Sequence, residues 1–141
     1  MIKRKMKALI IYISIHQKNT EKIAKMIASI LKAKLLTTNK ANINTFTNYD
    51  LIGFGSGIYY GKHHKSLLNL IDNLPVMRNK KAFIFSTSGM RNGILQLPYS
   101  MDFNKVIKER LTEKGFNIIG EFSCRGFDAY GPLQTTLHRK T

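Results

Sequence analysis

The chain has one cysteine, Cys124, in 141 residues, no tryptophan, three prolines and only eight acidic side chains. A lone cysteine excludes a disulfide framework and a cysteine metal cluster. No motif around it activates a thiol, so Cys124 reads as structural rather than nucleophilic. No apolar run approaches the roughly 20 residues that cross a bilayer. The start, Met1-Ile2-Lys3-Arg4-Lys5-Met6-Lys7, has the charge of a leader. The apolar run behind it is only about eight residues long and no small-residue cleavage site follows. A cytoplasmic location is the expectation. With 43% hydrophobic residues, the chain can bury a core, and its length suits a single domain over 1–141.

The shortage of acid leaves a net charge of +15. Nucleic acid, an anionic membrane surface or an acidic partner would each suit that excess. Yet the cations are spread along the chain, and no helix-turn-helix, zinc-finger or aromatic RNA-binding pattern accompanies them. A solvated basic surface is the simpler reading, with no nucleic-acid partner.

What is present is a regular alternation. Ala8–Ile13 is an apolar strand, Ser14–Thr20 a polar loop, and a helix opens at Glu21. Ile23, Met26, Ile27, Ile30 and Leu31 form its apolar stripe, and Asn19 is the expected N-cap. A short strand is expected near 33–37, then a polar stretch over 38–48 with at most a stunted helix. Residues 49–56 and 81–86 read as central strands, and 116–122 as the last. Helices are expected over 65–73, ending before Pro75, and over 103–114, stopped by Gly115. Short apolar strands separated by helices imply a parallel α/β sheet covered on both faces.

Ligands of such sheets bind at the carboxyl ends of the strands. Three loops there carry binding chemistry. The first, Ser14–Thr20, feeds a helix N-terminus, where free N–H groups and the helix dipole favour an anion. Ser14, Asn19 and Thr20 are candidate phosphate ligands, and His16 and Lys18 can add charge-assisted bonds. Capping by Asn19 and Thr20 is the plain alternative. The second loop holds Ser56, Gly57, Ile58, Tyr59, Tyr60 and Gly61. Either tyrosine can stack on a planar ring or pack beneath the loop. The third holds Ser86, Thr87, Ser88 and Gly89. A phosphate at the first loop and a flat ring between the others suggest a mononucleotide. His63 and His64 lack a carboxylate or thiolate partner nearby in sequence, so no metal site is expected. The Gly-x-x-x-x-Gly-Lys-Ser/Thr phosphate loop of triphosphatases is absent. The acidic cluster of a receiver domain is absent too, since Ser14 stands where it would begin.

These residues resemble the flavodoxin family. The resemblance runs through Ile11-Tyr12-Ile13-Ser14, Asn19-Thr20-Glu21-Lys22-Ile23-Ala24, Tyr49-Asp50-Leu51-Ile52-Gly53-Phe54-Gly55-Ser56-Gly57-Ile58-Tyr59 and Phe85-Ser86-Thr87-Ser88-Gly89, within about residues 5–132. It implies a doubly wound, three-layer fold with strand order 2-1-3-4-5 and non-covalent FMN at the three loops. It further implies electron transfer between redox partner proteins. The family's Ser/Thr-x-Thr-Gly-x-Thr loop is here one residue longer, with His16-Gln17-Lys18-Asn19 and no glycine. Gly57 falls where the family has a flexible peptide beside the flavin. Ser56–Leu67 also resembles flavodoxin-like protoporphyrinogen oxidases, which implies a flavin-dependent oxidoreductase as the alternative, with peripheral membrane contact. The stretch from Cys124 to Leu133 resembles tails of the flavodoxin branch. The family's final helix has too few residues after Gly131, so one sheet face is expected to be partly bare and open to pairing with a second copy.

Overall fold

The computed structural model describes residues 6–15, 19–59, 61–88 and 103–125, with Ser88, Cys124 and Arg125 as backbone only. His16, Lys18, Tyr60 and Gly89 lie outside the described residues, as does the tail beyond Arg125 to which the truncated final helix was assigned.

The elements run β1 (Ala8–Ile13), α1 (Asn19–Leu31), β2 (Lys34–Thr37), a 3-10 turn (Thr38–Lys40), α2 (Ile43–Phe46), β3 (Leu51–Tyr59), β4 (Lys62–His63), α3 (Lys65–Asp72), β5 (Lys81–Ser88), α4 (Lys105–Glu113) and β6 (Asn117–Arg125). The sheet order is β2-β1-β3-β5-β6, and every neighbouring pair on that path is parallel. With the small β4 set aside, this is the expected 2-1-3-4-5 winding. Among the described strands only β4 is antiparallel, folding back on the end of β3 through Ile58↔His63 and Tyr59↔Lys62.

Burial on both faces explains why the central strands read as continuous apolar runs. One face packs Leu9, Ile11, Ile52, Phe54 and Ile84 against Leu67, Leu68, Ile71, Ile107 and Leu111 of α3 and α4. The other packs Ile10, Tyr12 and Phe85 against Ile23 and Ala24 of α1. Gly115 ends α4 at φ 91°, and a Cβ there would press on the Met77 carbonyl at 3.3 Å. A glycine is therefore required for the helix to turn into β6.

Several boundaries differ from the sequence reading. β3 continues to Tyr59 because the β4 hairpin and the Gly57↔Thr87 pairing with β5 supply ladder partners on both sides. Ser56–Tyr59 and Ser86–Ser88 are therefore strand ends rather than free loops. α1 begins at Asn19 itself, so Asn19 is not the cap; instead Ser14 Oγ accepts from the Glu21 N–H at 3.2 Å. The polar stretch after β2 does hold a short helix, α2, closed by a capping box between Asn42 and Thr45. In β6 the register slips: Ala82 pairs with Ile118, Phe83 with Gly120, and Ile119 stands between them as an extra residue.

Candidate cofactor site

Parallel pairing brings the ends of four strands to one edge. Ile13, Ser56, Ser86 and Ser123 stand in one cross-strand row, and Gly57, Thr87 and Cys124 in the next. The hydroxyls of this edge are tied together. Ser86 Oγ donates to Ser123 Oγ at 2.8 Å. Thr20, 3% exposed on the first turn of α1, meets Thr87 of β5, their hydroxyl oxygens 2.7 Å apart. The first and third predicted loops are thus joined across 67 residues of sequence.

The second segment is anchored through the hairpin. Ser56 Oγ accepts from the His64 N–H at 2.9 Å and donates to the Gly57 carbonyl at 2.6 Å. Gly61, at φ 82°, makes the tight turn between β3 and β4. The half-buried Tyr59 ring sets its edge against His64, centroids 5.1 Å apart, and lies over Gly57. Burial raises its phenol pKa. His64 caps α3, its Nδ1 accepting from the Ser66 N–H at 3.0 Å. Burial, then the Lys65 charge, lowers its pKa. His63, 1% exposed, shares a 3.0 Å hydrogen bond with the Phe85 carbonyl through Nε2. Burial drives its pKa down to about 4, although the Phe85 and Phe103 carbonyls pull the other way. The ring is therefore neutral at pH 7, and as a neutral donor it binds the hairpin to β5. Both histidines hold the backbone of the edge in place. Neither role was visible in sequence; Gly61, after Ile58-Tyr59-Tyr60, was the one signal for the hairpin that places them.

Around the N-terminus of α1 the described donors are the hydroxyls of Ser14 and Thr20, the Asn19 amide and main-chain N–H groups, with the exposed Lys22 beside them. The nearest carboxylate, Glu21, is bound to Lys25 at 2.8 Å. That pair raises the Lys25 pKa, and together with burial Glu21 raises that of Tyr12 beneath it. This donor set fits a phosphate group, whose charge repels carboxylates and is met by helix N–H groups and hydroxyls. Of the predicted ligands, Ser14 lies beside this N-terminus with Asn19 and Thr20, while Ser56, Gly57, Ile58, Tyr59, Ser86 and Thr87 lie along the adjoining strand ends.

A flavodoxin domain model matches residues 9–118, from β1 to the first two residues of β6. The chain belongs to the flavodoxin family. An uncharacterized protein of Methanocaldococcus jannaschii is 52% identical over 127 residues, covering 89% of this chain and 79% of that relative. Oxidised flavodoxin 2 from Bacillus cereus superposes with a TM-score of 0.72 at 19% identity, covering 94% of each chain. A flavodoxin from the domain Archaea superposes with a TM-score of 0.67 at 17% identity, over 94% of this chain and 92% of that one. At those identities the two structures establish the flavodoxin fold. Among the described residues no helix is long and apolar enough to cross a membrane.

Proposed function

We propose that this flavodoxin domain, acting as a single unit over residues 1–141 in the cytoplasm, binds FMN non-covalently and carries one or two electrons between redox proteins. The observation that carries the reading is the braced, carboxylate-poor hydroxyl set where α1 meets the ends of β3 and β5. When bound, FMN supplies a ring that takes up and releases electrons singly or in pairs. The protein supplies grip and orientation. Ser14, Asn19 and Thr20, with His16 and Lys18, hold the phosphate. If Thr87 donates to Thr20, the Thr20 proton is left to donate outward. Ser56, Gly57, Ile58, Tyr59, Tyr60 and Gly61 on one side, and Ser86, Thr87, Ser88 and Gly89 on the other, frame the ring. The Ser56–His64 and His63–Phe85 bonds fix the spacing of those two sides.

The visible spectrum of the purified protein with added FMN tests this. A stoichiometric yellow complex with quenched flavin fluorescence is expected. Thr20→Ala should weaken FMN by about 1–3 kcal/mol, through a lost hydrogen bond to a charged group. A colourless protein that leaves FMN fluorescence unquenched overturns the reading. A bound flavin that rapidly oxidises protoporphyrinogen in a quinone-linked assay would replace the electron carrier with the enzyme.

A further inference from the structure

The excess of positive charge is not distributed as helix stability would distribute it. In this fold α1, α3 and α4 all begin at the carboxyl edge of the sheet, so their positive dipole ends point there. Acidic side chains would stabilise those first turns, yet α3 and α4 have none. Lysines occupy them instead: Lys22 near the start of α1, Lys65 opening α3 and Lys105 opening α4, with Lys62 beside them on β4. All four are exposed. The acid of α1's first turn, Glu21, is bound to Lys25. Of the other described carboxylates, Glu121 of β6 is held at the start of α4 by Asn104 and Lys108, while Asp50 before β3, Asp72 at the end of α3, and Glu109 and Glu113 along α4 lie elsewhere. Asp102 and Asp128 are outside the described residues.

The opposite edge is also basic; Lys34 and Lys81 open strands there, and other cations suit helix ends. Arg110 lies in the last turn of α4, and Lys32 and Lys114 follow the ends of α1 and α4, where the dipole favours cations. At the carboxyl edge the lysines oppose the dipole. Local folding therefore does not account for them, and a ligand of opposite charge does. Within the lysine ring lie Ile15, 39% exposed, and the half-buried Ile58 and Tyr59. An apolar centre inside a charged rim is the anatomy of a protein–protein contact.

We propose that this edge docks an acidic redox protein, whose carboxylates meet Lys22, Lys62, Lys65 and Lys105 around the candidate cofactor site. The inference rests on the electron-carrier reading, which requires a partner able to exchange electrons. Nucleic acid and lipid headgroups match the charge but carry no redox centre.

Calorimetric titration with a small acidic iron–sulfur protein, a rubredoxin, tests the surface on both the FMN-free and the FMN-loaded chain. Binding should weaken roughly tenfold or more between about 20 and 200 mM salt. The double variant Lys62→Glu/Lys65→Glu should bind roughly tenfold more weakly, while Lys34→Glu/Lys81→Glu at the other edge, with the same net charge, should change affinity less than about threefold. Thermal melting confirms that both variants fold. Equal losses in the two variants would reduce the effect to bulk charge and overturn the proposal. No binding at low salt would also overturn it, as would tighter binding of a basic cytochrome c. So would tighter binding of duplex DNA or phosphatidylglycerol vesicles through the same lysines. A chain that binds rubredoxin through Lys62 and Lys65 yet never takes up FMN would keep the docking surface and lose the cofactor.

Discussion

The two faces of the sheet are closed by different means. On the α3/α4 face fifteen buried residues interlock, and branched aliphatic side chains from strands and helices alternate with Phe46, Phe54 and Phe116. On the α1 face only five described residues are fully buried. There the space is filled by rings leaning across glycines. Phe83 covers Gly53, Phe85 covers Gly55, and Phe85 stacks between Phe83 and Phe122 at centroid distances of 6.2 and 6.0 Å. A dense aliphatic face spreads the loss of any one contact over many neighbours. A face of few large rings depends on each glycine that lets a ring lie flat. Among the described residues the first face holds the larger buried cluster, and the second carries Thr20 and Thr87 up to the cofactor edge.

The sharpest way to break this contrast is to truncate one ring on each side. Phe54→Ala should cost about 3–5 kcal/mol in chemical denaturation, because it opens a void among immobile neighbours. Phe122→Ala, at a half-buried position, should cost only about 1–2 kcal/mol. Equal losses would mean that the two faces are equally packed.

Acid probes where the α3/α4 side meets the cofactor edge. His63 is neutral in the native state down to about pH 4, whereas in the unfolded chain it protonates near 6.5. Between those values the unfolded state binds more protons, so stability rises with pH and is complete above about 6.5. Urea unfolding should lose about 3 kcal/mol on going from pH 7 to 4, the fully buried limit of that shift. A His63→Leu variant should lack that part of the slope. An unchanged slope would show that other groups govern acid sensitivity.

Gly55→Ala tests the ring-over-glycine design. The added Cβ would overlap the fully buried Phe85 ring, and displacing that ring should cost about 1–3 kcal/mol. A neutral result would show slack on the α1 face. The smallest effect belongs to Ile30, 74% exposed on α1. Ile30→Gln should move the thermal midpoint by no more than about 0.5 kcal/mol equivalent. A larger loss would reveal that something covers this side of α1.

The winding was legible because the central strands are apolar on both faces and Gly115 and the Pro75 region punctuate the helices. Sequence pattern is local, and the features it missed are made by distant partners. β3 reads as ending at Ser56 because only the hairpin and β5 give Gly57, Ile58 and Tyr59 their ladder bonds. Asn19 has the chemistry of a cap, but the helix starts at Asn19 itself, two residues before Glu21, and the hydroxyl of Ser14 reaches the Glu21 N–H instead. In the candidate site Ser14 and Thr20 were recognisable from their place before a helix. The pairing of Thr20 with Thr87, and the service of His63 and His64 to the backbone, depend on a fold that brings them together.

The extra residue in β6 reaches further than its own position. Side chains along a strand alternate, so an extra residue kept in the ladder would exchange the faces of everything after it; the bulge takes Ile119 out of the ladder and keeps the later pairs in step with β5. With Ile119 unpaired, Glu121 falls on the side of α4, where Asn104 and Lys108 reach it at 3.0 and 3.1 Å. Phe122 falls on the side of Phe85, and Ser123 comes opposite Ser86. Force Ile119 into the ladder instead and the strand's wiring is inverted: the Glu121 carboxylate is driven among the phenyl rings, and the Phe122 ring is turned toward lysine. The bulge works as a slip joint that absorbs one residue, so that the strand begins in step with the core and finishes in step with the cofactor edge.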